Sequence, residues 1–180
     1  MFWLFIILLA AQRIAEMIVA RRNERKVKKQ GAVEYGEGHY PFLVLMHVLF
    51  FVSLIAEVAA FHKAHSPRWA AIICIILFVQ GIRYWALLSL GRYWNTKILV
   101  VPDAELVKKG PYRWMKHPNY AVVILEFILL PLLYGAYWTL FLFSILNACM
   151  LTVRIRAEEK ALEENTAKKR LKIILTHDKM

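Results

Sequence analysis

The sequence predicts an all-α fold: an integral membrane helical bundle of about five transmembrane helices, the last two forming a helical hairpin. Three observations predict it. The 180 residues are 59% hydrophobic with a mean hydropathy of +0.45, whereas soluble chains run at roughly 45–50% apolar. The excess is gathered in blocks on the scale of one bilayer crossing, about 20 residues per helix. Of 24 Lys+Arg, nearly all lie between the blocks. This pattern excludes a two-domain soluble enzyme, a disordered chain and a disulfide scaffold. A net charge of +11 suits an anionic membrane surface. Nucleic acid is disfavoured, because no aromatic-interleaved basic groove or zinc-finger spacing occurs.

The first span is read from Phe2 to Val19, interrupted by Gln12, Arg13 and Glu16. No positive residue precedes it and no small-residue cleavage site follows, so it reads as a span and not a leader. Pro41 to Phe61 is the second, carrying His47 and Glu57. Trp69 to Leu90 is the third, carrying Gln80 and Arg83. The block from Tyr120 to Val153 is too long for one crossing and slightly short for two. Pro131 and Gly135 should break it, giving a hairpin that turns near Pro131 to Tyr137. Cys74 and Cys149 lie inside apolar runs without a C-x-x-C and read as buried small hydrophobes.

Lys/Arg counts set the orientation. The segment after span one carries six (Arg21 to Lys29), the next loop two (Lys63, Arg68), and 91–119 six. The hairpin turn carries none, and the chain from Arg154 onward carries eight. By the positive-inside rule the N-terminus is outside and the three basic segments share the cytoplasmic face. Arg21 to Lys29 and Lys168 to Lys172 are read mainly as topology signals that also attract anionic headgroups.

With cytoplasmic segments this short, a cytosolic site must be built from helix ends and loops. Gly110 to Tyr120 is dense in functional side chains: Gly-Pro-Tyr-Arg-Trp-Met-Lys-His-Pro-Asn-Tyr. His117 before Pro118 is biased to extended backbone, and Pro118 suits the first turn of the following helix. Helix N-terminal N–H groups beside such side chains suit a carboxylate or hydroxyl-bearing ligand. An interfacial aromatic and basic belt accounts for Trp114 and Lys116 equally well, but not for the alternating Gly, Pro, His and Asn. The second dense stretch is Arg154-Ile-Arg-Ala-Glu-Glu-Lys160. Alone it would be a solvated helix, with Arg154 and Glu158 one turn apart as an ion pair.

Ionisable residues inside the membrane are functional candidates by default. Arg13 and Glu16 are three apart and pair most cheaply with each other. Arg83, Glu57 and Glu126 have no local partner of opposite charge. Glu126 lies two turns beyond Asn119 on about the same face, within reach of a site under the loop and of Asn147. Interhelical polar contacts explain Gln80 and Asn147 at least as well. No Walker motif or dinucleotide fingerprint occurs, and the H-x-x-H of His62 and His65 has no third ligand nearby, so no metal is expected.

Leu106 to Arg113, then Lys116-His117-Pro118-Asn119-Tyr120, then Arg154 to Glu159 resemble the isoprenylcysteine carboxyl methyltransferase family. Arg83 to Leu87 and Leu90 to Trp94 look like the family's preceding segment. The resemblance is specific from about Gln80 to Glu163 and rests on topology before that. It implies an integral membrane methyltransferase that uses S-adenosyl-L-methionine on the cytoplasmic side and a lipophilic acceptor from the bilayer. By that resemblance His117, Pro118, Tyr120, Glu158 and Glu159 bind the cofactor. Lys116 or Arg156 is then expected to hold the anionic acceptor oxygen as a catalytic residue, and Arg83 and Glu126 are expected to meet the substrate. The chain is then a single membrane domain: helices in 1–90, cofactor loop, hairpin and C-terminal helix in 91–163, and a basic tail in 164–180.

Three departures from the family pattern bear on the acceptor: Lys116 replaces an arginine, Val122 a glycine, and the tail from Asn165 lacks an aromatic, Gly-containing close. Bacterial relatives with H-P-N-Y and R-I-R-x-E-E look like enzymes acting on hydroxyls of alkylpyrone or alkylresorcinol lipids. Two readings stand beside this one. A phospholipid N-methyltransferase shares the architecture and the paired glutamates, but an amine nucleophile would favour an acidic rim. A non-catalytic or transport protein would be expected to show an inverted repeat, and none is visible.

Overall fold

A computed structural model describes residues 2–62, 65–102, 104–105 and 107–177, with side chains through residue 166. Lys63, Leu106 and the side chains of Lys168 to Lys172 lie outside the described residues. The chain is an all-α membrane protein, with five α-helices among the described residues: α1 (Phe2–Lys28), α2 (Tyr40–Ala60), α3 (Trp69–Leu90), α4 (Pro118–Leu133) and α5 (Tyr137–His177). Short strands β1 (Val33–Tyr35) and β2 (Ile98–Val100) pair antiparallel, with Glu34 opposite Leu99. Four helices are long and apolar enough to cross a membrane. The exception, α4, has 16 residues, or about 24 Å at 1.5 Å per residue, against a hydrocarbon core of about 30 Å.

The described contacts group the chain into two compact units, with α5 running through both. The first holds α1, both strands and α5 from Ala157 onward. Here α1 does not stop at Val19: the helix continues through the basic cluster to Lys28. Buried Asn23 fastens its end by donating to the carbonyls of Gly91 (3.1 Å) and Trp94 (2.9 Å). Ile98, Val100 and Ala161 form a small core, covered by Tyr35, Ala157 and Leu162. Above it Glu24 and Glu34 alternate with Lys28 and Lys97 in a ring of four contacts between 2.7 and 3.1 Å. Burial pushes the Glu34 carboxyl up, but hydrogen bonds from Lys28 and Lys97 outweigh it and hold the group below the ordinary carboxylate range. The bond to Glu34 leads the causes that raise Lys97. In α1, Arg13 pairs with Glu16 at 2.9 Å, as the three-residue spacing suggests.

The second unit holds α2, α3, α4 and α5 up to Arg156. Its core is aromatic. Phe50 of α2 stacks on Phe127 of α4 (centroids 4.2 Å) and meets Phe143 of α5 edge-on (5.7 Å). The hairpin turns at Gly135, whose φ of +62° lies in the left-handed region that glycine enters without strain. Pro131 does not break the run: it sits inside the last turn of α4, and its carbonyl accepts from Tyr134 and Ala136. Leu133 is capped across the unit by the Ser66 amide (2.8 Å).

Cys74 and Cys149 are exposed on their helices, not buried. A spanning helix can leave apolar side chains facing lipid, so an apolar run alone does not identify its protein-facing side.

Candidate active site

At one end of the second unit the sequence builds a turn and then a helix start. Gly110 opens a 3-10 turn (Gly110–Arg113) at φ +55°. A Cβ there would collide with the Ser89 hydroxyl and stand 2.9 Å from the Trp85 indole nitrogen, so only glycine lets this loop lie against α3. His117, constrained by the following proline, takes φ −128° and ψ 63° and precedes the first residue of α4, Pro118. Its carbonyl accepts from the amides of Tyr120 (3.1 Å) and Ala121 (3.4 Å). That local turn lays the His117 imidazole on the Tyr120 ring, with centroids 5.1 Å apart and planes 18° from parallel.

The third member comes from α5. Arg154 is buried, and its Nε donates to the Tyr120 hydroxyl at 2.9 Å while the guanidinium lies 5.8 Å from the ring centroid. Thus imidazole, phenol and guanidinium form one continuous layer.

Of the residues expected at the site, the fold brings His117, Pro118 and Tyr120 together on the first turn of α4. Pro118 is buried, His117 and Tyr120 are half-buried, and Lys116 is exposed just before them. Arg156 is not the arginine that joins this layer. It follows Arg154 by two residues, about 200° round a helix of 3.6 residues per turn, and is exposed. Glu158 and Glu159 follow on the same helix and are half-buried. From the sequence alone Arg154 reads as an ion-pair partner of Glu158 one turn away. The available signal was its place one turn before Glu158, opening the R-I-R-A-E-E run.

Arg83, Glu57 and Glu126 find partners on other helices. Glu126 of α4 receives Arg83 Nη1 (3.0 Å) and Gln80 Nε2 (2.8 Å), both from α3, so the pair expected to meet substrate is committed to itself. Asn147 is not the partner of Glu126. Glu57 of α2 takes the amide (2.8 Å) and hydroxyl (2.9 Å) of Thr139 at the start of α5, where unpaired N–H groups favour a carboxylate.

The description "Isoprenylcysteine carboxyl methyltransferase (ICMT) family" matches residues 70–164, which include the whole of this layer and the paired glutamates. The uncharacterized protein YpbQ of Bacillus subtilis is 67% identical over 168 residues, covering 93% of this chain and 100% of that protein. An uncharacterized protein of Haemophilus influenzae is 26% identical over 153 residues, covering 84% of this chain and 89% of its own. No solved structure matches. With more than half its length matched and the apolar helices in place, the chain belongs to the isoprenylcysteine carboxyl methyltransferase family of membrane methyltransferases.

Proposed function

We propose that the chain is an S-adenosylmethionine-dependent O-methyltransferase, working at the cytoplasmic face on a hydroxyl of a long-chain polyketide lipid of the alkylpyrone type. The observation that supports it is the bond from Arg154 to Tyr120: the arginine that opens R-I-R-A-E-E grips the tyrosine that closes H-P-N-Y. Two segments with no structural reason to be linked in sequence are thereby tied at one helix start.

The residues present fit the cofactor's chemistry. His117 and Tyr120 offer flat rings and the α4 N-terminus offers amide donors, which suit a carboxylate. Glu158 and Glu159 suit an ammonium and a ribose diol. When bound, S-adenosylmethionine supplies an electrophilic methyl group on its sulfonium. The chain's own part is to hold and orient. Arg154 fixes the Tyr120 ring, and Tyr120 supports His117. Lys116 and Arg156, both exposed, hold the acceptor's anionic oxygen by charge, and Arg156 does so from its own side of α5. An enolic hydroxyl is already largely ionised near neutral pH, so these cations stabilise the nucleophile without a general base. An ammonium is a point charge, whereas the family's arginine forks onto a carboxylate, so Lys116 favours a hydroxylated ring over a prenylcysteine carboxylate. Arg83 and Glu126, holding each other, act beneath the slot for the alkyl chain.

The test is transfer of a labelled methyl by purified protein to alkyl hydroxypyrones and to a farnesylcysteine analogue. Transfer to the hydroxypyrone is expected, with His117→Ala and Glu159→Ala each lowering cofactor affinity at least tenfold in folded protein. Turnover of farnesylcysteine alone would overturn the acceptor. Unchanged affinity in both variants would overturn the site.

A further inference from the structure

Among the described residues, most buried polar side chains of the second unit are bonded to one another. Arg83 and Glu126 bond each other, Glu57 bonds Thr139, Thr139 also bonds Ser53, and Arg154 bonds Tyr120. In the first unit, Glu16 and Asn23 are likewise partnered. Asn147 is 2% exposed, yet its Oδ1 has no hydrogen-bond partner among the described residues. Buried carbonyl-type oxygens are nearly always paired, so the Asn147 Oδ1 points to a donor that arrives from outside.

The placement of Asn147 narrows what that donor is. Thr139, Phe143, Asn147, Leu151 and Arg154 are all buried and recur at helical spacing, so they form one stripe on α5. One turn before Asn147 on that stripe, Phe143 packs on Phe50 of α2. Two turns beyond it, Arg154 binds Tyr120 of α4. The amide oxygen therefore lies between the aromatic core and the His117–Tyr120–Arg154 layer, within the apolar part of the helix. A donor reaching it must bring apolar structure along.

We propose that Asn147 is a specificity-determining residue: its Oδ1 accepts a hydrogen bond from a hydroxyl or N–H on the polar head of a long-chain lipid seated between α2, α4 and α5. This deepens the methyltransferase reading, on which it rests for the identity of the lipid as methyl acceptor. It predicts that the ligand carries a donor besides its alkyl chain, and that removing the donor removes the preference.

The experiment is equilibrium binding, without cofactor, of an alkylresorcinol, whose phenolic hydroxyls keep their protons near neutral pH, and of its dimethyl ether to purified protein in detergent, for wild type, Asn147→Leu and Asn147→Ala. Wild type should bind the hydroxylated lipid about tenfold more tightly than the ether, the size of one net hydrogen bond. Asn147→Leu, of similar shape, should bind both equally. It should also raise the melting temperature of the ligand-free protein, because an unpaired acceptor has been removed. A purely structural asparagine would lower that melting temperature. A preference that survives in Asn147→Leu and Asn147→Ala overturns the proposal, as does a wild type that never prefers the hydroxyl. Methyl transfer is measured separately with the alkylresorcinol and the alkyl hydroxypyrone. Binding preference without transfer would sink the enzymatic reading and leave Asn147's role standing. Transfer without preference would do the reverse.

Discussion

Arg83 and Glu126 show how single residues depend on helices that the sequence does not pair. Each is an expensive charge inside an apolar helix, and each is tolerable because the other stands 3.0 Å away. Removing one partner leaves the other charge buried. Arg83→Met and Glu126→Leu should each cost about 3–5 kcal/mol, whereas the double variant should cost less than either single one. Unfolding midpoints in detergent measure this, and additive losses would mean the two residues do not act as a pair. Arg13 and Glu16 were legible in the sequence because their partnership is local to one helix. Arg83 with Glu126, 43 positions apart, was not. Arg154 was hidden for the same reason: a glutamate one turn away offered a local explanation, while its bond to Tyr120 spans 34 positions.

At the scale of elements, the apolar blocks fixed the helices and mislaid some of their ends. The third span matches α3 at both ends, since polar residues flank it closely. The first apolar span ends at Val19, yet arginine and lysine are good helix formers and α1 continues to Lys28. The β1–β2 pair has no signature in the sequence: three-residue strands carry no periodicity to read. Its ends are tied by Lys28, Lys97, Glu24 and Glu34, and the sign of the pH dependence follows. Glu34, held low, stabilises above the ordinary carboxylate range and loses its contribution as pH falls through its lowered value. Lys97, held high, stabilises below the ordinary lysine range and loses its contribution as pH rises through its raised value. Amide protection at 33–35 and 98–100, corrected for intrinsic exchange, should therefore be flat between about pH 5 and pH 9 and weaken on either side. A fall near neutrality would place the stabilisation elsewhere.

For the molecule as a whole, the distribution of Lys and Arg predicts that residues 154–180 face the cytoplasm and that the loop between α2 and α3 is outside. A cytosol-dependent reporter fused after Met180 should be active, and a cysteine at Ser66 should label from outside intact cells. A silent but expressed reporter would overturn this orientation. The sequence by itself determined the membrane class, the helices, the hairpin turn at Gly135 and the location of the H-P-N-Y and R-I-R-A-E-E motifs. Each is written in local composition, in backbone limits at Gly and Pro, or in a run of motif residues. Only the tertiary structure decided which arginine of R-I-R meets Tyr120, what Glu57 and Glu126 bind, and which side of each helix faces lipid. Bilayer and protein interior are equally apolar, so hydropathy does not distinguish them. Only the meeting of side chains from different helices does.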